Sequence, residues 1–131
     1  MVNEFTSACH TDLPETPQLM DTAAKEFIAE MVNDELDELR IADTVVDQAD
    51  ALIDMIYYIC DTAARHGINL DPLFAEVHAA NMRKVIDGHV IRNDKGKILK
   101  PDGWYGPEEQ INTILATHEN TGSFLTNSVE Q

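Results

Sequence analysis

EFIAEMVNDELDELRIADTVVDQADALID, residues 26–54, reads as two consecutive helices carrying ten carboxylates: Glu26, Glu30, Asp34, Glu35, Asp37, Glu38, Asp43, Asp47, Asp50 and Asp54. At ~100° per residue, Phe27, Ile28, Met31, Val32, Leu36 and Leu39 share one arc of the first helix. Glu26, Glu30 and Asp37 lie opposite, as a solvated face requires. Glu35 and Glu38 fall inside the apolar arc. An unpaired carboxylate is costly to bury, so these two need a shared partner that offsets their desolvation.

The second helix, around Val45 to Arg65, supplies a neighbour for them. Nearly every position there is apolar except a narrow band of Asp47, Asp50, Asp54 and Asp61. Asp50 and Asp54 stand one turn apart and point the same way. If the two helices pack antiparallel, Glu35, Glu38, Asp50 and Asp54 form a four-carboxylate cluster. Hard divalent cations, Mg²⁺ or Mn²⁺, prefer such all-oxygen sites. The competing reading makes the second band a solvated face, because charged residues are mostly exposed. The intrusion of Glu35 and Glu38 into an apolar arc favours the metal site.

The remaining composition sets bounds. A chain of 131 residues has the length of a single domain. Its net charge of −15 opposes direct binding to a nucleic-acid polymer, which needs a basic footprint. Anionic ligands would have to be handled through metal ions or a local lysine cluster. No apolar run is long enough to span a bilayer, and no secretory signal opens the sequence, so the expectation is a cytoplasmic protein without a membrane partner. Cys9 and Cys60 make no disulfide framework, and Cys60 on the apolar side of its helix reads as a reduced core thiol.

Residues 1–19 read as an irregular arm with a short helix at its start. Asp21 or Thr22 caps the first long helix, which runs to about Ile41; Asp43 or Thr44 caps the second, and Gly67 ends it. Asp71-Pro72 opens a third helix that Asp87-Gly88 closes. On it Leu73, Phe74, Val77 and Val85 share a face from which Asn81 and Lys84 also project, either toward the same polar pocket or, for Lys84, with its ammonium snorkelling to solvent. His89 to Lys100, HVIRNDKGKILK, reads as a small β-hairpin about an Asn-Asp-Lys-Gly turn. It carries Arg92, Lys95, Lys97 and Lys100, four of the nine basic residues, on a flap suited to gripping phosphates. Lysines also protect exposed strand edges from aggregation. Within 86–106, hairpin and loop together, PDGWYGP holds the only tryptophan, Trp104. Glu108 to His118 reads as a last short helix, and 119–131 as a flexible tail. The expected fold is all-α: an antiparallel bundle of about four helices in one domain, 1–131, with a hairpin flap.

With these motifs in order, the sequence resembles the all-α nucleoside-triphosphate pyrophosphohydrolases, the superfamily of MazG, the dimeric dUTPases and phosphoribosyl-ATP pyrophosphohydrolase. NDELDEL resembles its E-x-x-E motif at Glu35 and Glu38, with Asp34 as an extra acid. DALIDMIYYI resembles the second acidic motif at Asp54. The superfamily often has E-x-x-D there; this chain has Ala51 three residues before Asp54, leaving Asp50 or Asp47 to supply the fourth carboxylate. HAANMRKV and DGHVIRNDKGKILKPDGWYGPE resemble a branch in which N-x-x-K precedes a lysine-bearing hairpin.

The resemblance, from Phe5 to Pro107, implies Mg²⁺-dependent hydrolysis of a nucleoside triphosphate to the monophosphate and pyrophosphate, in nucleotide-pool cleaning. It implies Glu35, Glu38, Asp54 and Asp50 as metal ligands and Glu35 or Asp34 as general base. Asn81, Lys84, Lys97 and Lys100 would bind the phosphates, and Trp104 or Tyr105 would stack on a base. It also implies a homodimer or homotetramer with sites near subunit contacts. Two rival readings are hydrolysis of phosphoribosyl-ATP, and a non-enzymatic acidic helical module that binds a basic partner.

Overall fold

In the computed structural model, which describes residues 1–121, the chain is all-α: α1 (Val2–Cys9), α2 (Thr22–Ile41), α3 (Val45–Arg65), α4 (Leu70–Met82) and α5 (Glu108–Thr121). Its described residues pack as two compact units, one holding Met1–Asn69 and the other Leu70–Thr117.

In the first unit the helix ends follow local chemistry. Asp21, rather than Thr22, caps α2, its carboxylate accepting the Ala24 N–H at 2.7 Å. Thr44 caps α3: its Oγ1 accepts the Asp47 N–H at 3.1 Å and donates to the Asp47 carboxylate at 2.7 Å. Only 42–44 separate the two helices, so α2 folds back and packs along α3 as an antiparallel hairpin. The Gln48 side-chain amide donates to the Ala42 carbonyl at 3.1 Å and ties down the link.

α1 also packs on α3. Thr6 is fully buried and donates to Asp61 Oδ1 at 2.5 Å, while the Phe5 ring meets Tyr57 edge-on with centroids 5.9 Å apart. At the end of α3, Gly67 N–H bonds the Ala64 carbonyl and Ile68 N–H the Ala63 carbonyl, a Schellman closure with Gly67 at φ 68°. The arm then crosses this cap, with Gln18 N–H donating to the His66 carbonyl at 2.8 Å.

In the second unit, α4 stops at Met82, short of the expected Asp87-Gly88. Lys84 N–H and Val85 N–H reach back only three residues, to the Asn81 and Met82 carbonyls, and this tightened turn unwinds the helix. Lys84 and Val85 therefore lie beyond α4. The expected β-hairpin flap is not seen: among the described residues there is no strand, and Arg92 and Ile98 meet in one isolated bridge. The turn itself forms, with Asn93 Oδ1 accepting the Lys95 and Lys97 N–H groups at 2.9 and 3.0 Å. Residues 91–100 are all exposed, and two short runs with no packed face do not make a ladder. α5 runs past the expected His118 to Thr121; the rest of the expected tail lies outside the described residues.

The buried apolar residues among those described are alanines: Ala51, Ala63, Ala64 and Ala80. Large apolar side chains line the surface of α3, with Leu52, Ile53, Ile56 and Ile59 each about half exposed. Phe74 and Val77, expected on a core face of α4, are also exposed. An apolar arc marks a face that needs covering without fixing what covers it.

A Cβ on Gly67 would stand 2.2 Å from the Thr16 carbonyl oxygen, whereas one on Gly96 meets nothing within 4 Å. Gly67→Ala should cost about 2–3 kcal/mol, left-handed strain plus a backbone clash, and Gly96→Ala only about 1. Urea midpoints compared at unchanged m-value check this; equal midpoints for the two variants would remove the clash from the account.

Candidate active site

Glu35 is the one buried carboxylate on α2, 8% exposed, and its Oε2 is out of water with no hydrogen-bond partner. The α2 arc turns it inward, and the antiparallel hairpin sets it among the acids of α3. Burial first, then a side-chain hydrogen bond with Glu38, then repulsion from Glu38, Asp54 and Asp50, raise its carboxyl above the ordinary range. These four carboxylates therefore share one electrostatic neighbourhood, although Glu38 and Asp50 are exposed and Asp54 is half-buried. Asp47 is engaged in the α3 cap, so of the two candidates for the fourth carboxylate, Asp50 is the one whose charge acts on Glu35. Asp34 is exposed.

Among the described residues, no three acidic, histidine or cysteine side chains converge tightly enough to enclose a cation as they stand. The donor set nonetheless fits a hard divalent ion: four carboxylates, one with a buried, unsatisfied oxygen.

The second unit carries a different constellation. Trp104 is half-buried and its Nε1–H donates to the Ala80 carbonyl at 2.8 Å. Two ammonium groups flank its ring, Lys100 Nζ at 4.8 Å and Lys84 Nζ at 5.4 Å from the centroid. Lys84 also donates to Asn81 Oδ1 at 3.1 Å. Lys97 is exposed, its backbone N–H held by Asn93. Asn81, Lys84, Lys100 and Trp104 are thus brought together by the loop that returns to the end of α4, and Lys97 lies on the exposed turn. A separate cavity of about 320 Å³ in the first unit is lined by Asp21, Phe27, Thr62, Arg65 and His66, away from the acidic group.

Residues 2–81 match the phosphoribosyl-ATP pyrophosphohydrolase family, a stretch from α1 to the last turn of α4 that includes all four carboxylates. The chain belongs to that family. It is therefore a member of the MazG-like all-α pyrophosphohydrolase superfamily, and an enzyme acting on phosphoanhydride bonds. No curated protein matches the chain. The family match ends at Asn81, so Lys84, Lys97, Lys100 and Trp104 of this pyrophosphohydrolase lie beyond it.

One residue of the loop escapes sequence reasoning. Arg83 stacks 3.9 Å from the Tyr105 ring centroid and donates from Nε and Nη2 to the Tyr105 carbonyl at 3.3 and 3.2 Å. Its partners are more than twenty positions away, and no local spacing announces them.

The raised Glu35 carboxyl fixes a sign. The folded pyrophosphohydrolase holds this proton more tightly than the unfolded chain, so stability falls as pH rises through the window between the two ionisations. In chelator, the melting temperature should therefore rise as pH is lowered from 7 toward about 5, near the upper edge of ordinary glutamate titration. Glu35→Gln should melt higher than wild type at pH 7 and lose much of that rise. A Glu35→Gln protein with the wild-type pH profile would show that Glu35 ionises without strain.

Proposed function

We propose that the protein hydrolyses a nucleoside triphosphate to the monophosphate and pyrophosphate with Mg²⁺, Mn²⁺ being the alternative ion. The observation that carries this reading is the buried, unpartnered oxygen of Glu35 among Glu38, Asp54 and Asp50. A docking face for a basic protein has no use for a charge withdrawn from solvent, so the non-enzymatic module is set aside.

Glu35, Glu38, Asp54 and Asp50 would hold the ion. When bound it supplies charge neutralisation on phosphate oxygens and makes water a better nucleophile at neutral pH. Glu35 or Asp34 accepts the proton of the attacking water. A phosphorus–oxygen bond forms to that water, and the bond to the pyrophosphate leaving group breaks. Lys84, Lys97 and Lys100 balance the charge on that leaving group, and Asn81 orients it. The Trp104 indole is already fixed by Ala80 and flanked by two lysines, which supports a supporting role rather than base stacking.

A second reading, phosphoribosyl-ATP as substrate, is favoured by the family match over residues 2–81. It uses the same carboxylates on the same kind of linkage. Phosphoribosyl-ATP carries the same triphosphate, so the lysines beyond the matched stretch serve either substrate alike. Pool cleaning is the corresponding role, in the cytoplasm. We also assign a second copy of the chain, as homodimer or homotetramer, to the exposed apolar face of α3, because a monomer seldom leaves such a patch in water.

Pyrophosphate release measured across nucleoside and deoxynucleoside triphosphates and phosphoribosyl-ATP, with and without Mg²⁺, tests the reading. Glu38→Gln should lower kcat by on the order of 10² while the fold survives, since even outer-shell changes at metal sites cost 10–100-fold. Near-normal turnover at saturating Mg²⁺ would remove Glu38 from the site. Mg²⁺ at a hundredfold excess over its Kd should stabilise the wild-type fold by about 2.7 kcal/mol and so raise its melting temperature; identical curves in chelator and in Mg²⁺ contradict the metal assignment.

Lys97→Ala with Lys100→Ala should weaken kcat/KM by at least ~10-fold, about 1.4 kcal/mol. The melting temperature should scarcely move. Intact kcat/KM with more light scattering would make these lysines protectors of an exposed edge instead.

A further inference from the structure

The segment 83–107 is fully accounted for neither by the family match nor by the carboxylates, and it holds an unusual arrangement of cations. In a protein of net charge −15, Arg83, Lys84 and Lys100 make no ion pair among the described residues. Each is instead placed on an aromatic ring: Arg83 on Tyr105, Lys84 and Lys100 on Trp104. Two ammonium groups sharing one indole repel each other, and the ring quadrupole offsets only part of that. An anion placed between them removes the rest.

What holds the pair in place is Arg83. Its guanidinium donates to the Tyr105 carbonyl from two nitrogens and reaches the Gly106 carbonyl at 3.5 Å. Trp104 is anchored in parallel by its bond to Ala80. Arg83 and Ala80 sit at the end of α4, so the loop is pinned at adjacent residues, 104, 105 and 106, to one fixed element. All the polar atoms of Arg83 that the geometry engages point at backbone carbonyls, which marks it as a staple rather than a phosphate ligand. Only an arginine combines a planar stack with a fork of donors.

We propose that Arg83 is a positioning residue that holds Lys84 and Lys100 on Trp104 as a preformed clamp for the pyrophosphoryl group of the substrate. The inference rests on the pyrophosphohydrolase reading for its ligand and on the loop geometry for its residue. Preforming the clamp spares the substrate the entropy of ordering two long side chains. Its loss would weaken ground-state and transition-state binding alike, so KM should carry the effect.

Trp104 is the only tryptophan, so its emission reports on the clamp directly. Wild-type protein in chelator, titrated with inorganic pyrophosphate, should change its tryptophan emission, and the change should weaken with salt. Arg83→Lys keeps the charge but loses the fork and the stack. It should bind pyrophosphate about tenfold more weakly and raise KM about tenfold, with kcat within about twofold of wild type. A purely structural staple would lower kcat through loss of folded protein and leave KM alone, and that outcome overturns the proposal. So does wild-type pyrophosphate affinity in Arg83→Lys. If Arg83→Lys does not fold, Tyr105→Leu removes the ring and leaves the fork; it should weaken pyrophosphate binding in the same direction, and wild-type affinity there counts against the clamp. A pyrophosphate response without hydrolysis of any nucleotide defeats the functional reading alone. Hydrolysis without any Trp104 response defeats the clamp alone.

Discussion

A carboxylate buried beside other carboxylates costs free energy whenever it is ionised, and the first unit holds Glu35 in that position. Glu35 is turned inward by the same helical arc that places Leu36 and Leu39, so it cannot leave without giving up the α2–α3 contact. Ala51 lies on the facing helix three residues before Asp54, and it is 2% exposed. At that depth a glutamate side chain would have to displace its neighbours. A small side chain suits that buried position. Asp50, one residue earlier and exposed, supplies the negative charge from the rim instead.

The acidic surface creates a second problem, because polyphosphates are repelled by a chain of net charge −15. The basic residues that answer it are concentrated between Arg83 and Lys100. No sheet holds this segment. Its order comes from a few side-chain bonds: the Asn93 carboxamide closing the turn, the Arg92 guanidinium on the Gly96 carbonyl at 2.7 Å, Trp104 on Ala80, and Arg83 on Tyr105. These bonds tie the segment to the end of α4 without a ladder of backbone pairs.

Much of the helical framework was legible because its determinants are local. Asp21, Thr44 and Gly67 act on backbone groups within a few residues, and the inward turn of Glu35 follows from helical period alone. Glu38 shares the arc in projection but stays exposed, because helical period places a side chain on a face without supplying the partner that covers it. The early end of α4 and the missing hairpin were not legible, since both depend on whether distant segments supply a packed face. Arg83 was missed for the same reason: its partners, Tyr105 and Gly106, are remote in sequence. The lysines on Trp104 were legible as residues but not as a pair, because only the loop's return to Ala80 brings Lys84 and Lys100 to one ring.

The apolar surface is the last piece, and it bears on the buried carboxylate. Alanines bury little area each, and at about 25 cal/mol per Å² they offset little of the conformational entropy of ordering the chain. Leu52, Ile53, Ile56 and Ile59 hold the larger reserve of apolar area, and in a single chain about half of it stays in water. Covering that face with a second copy would release the reserve on the same helix that carries Asp50 and Asp54. The stability gained there would help to hold Glu35 out of solvent. If a second copy covers that face, assembly and the acidic group are linked through α3, because the apolar area and Asp50 and Asp54 belong to one helix.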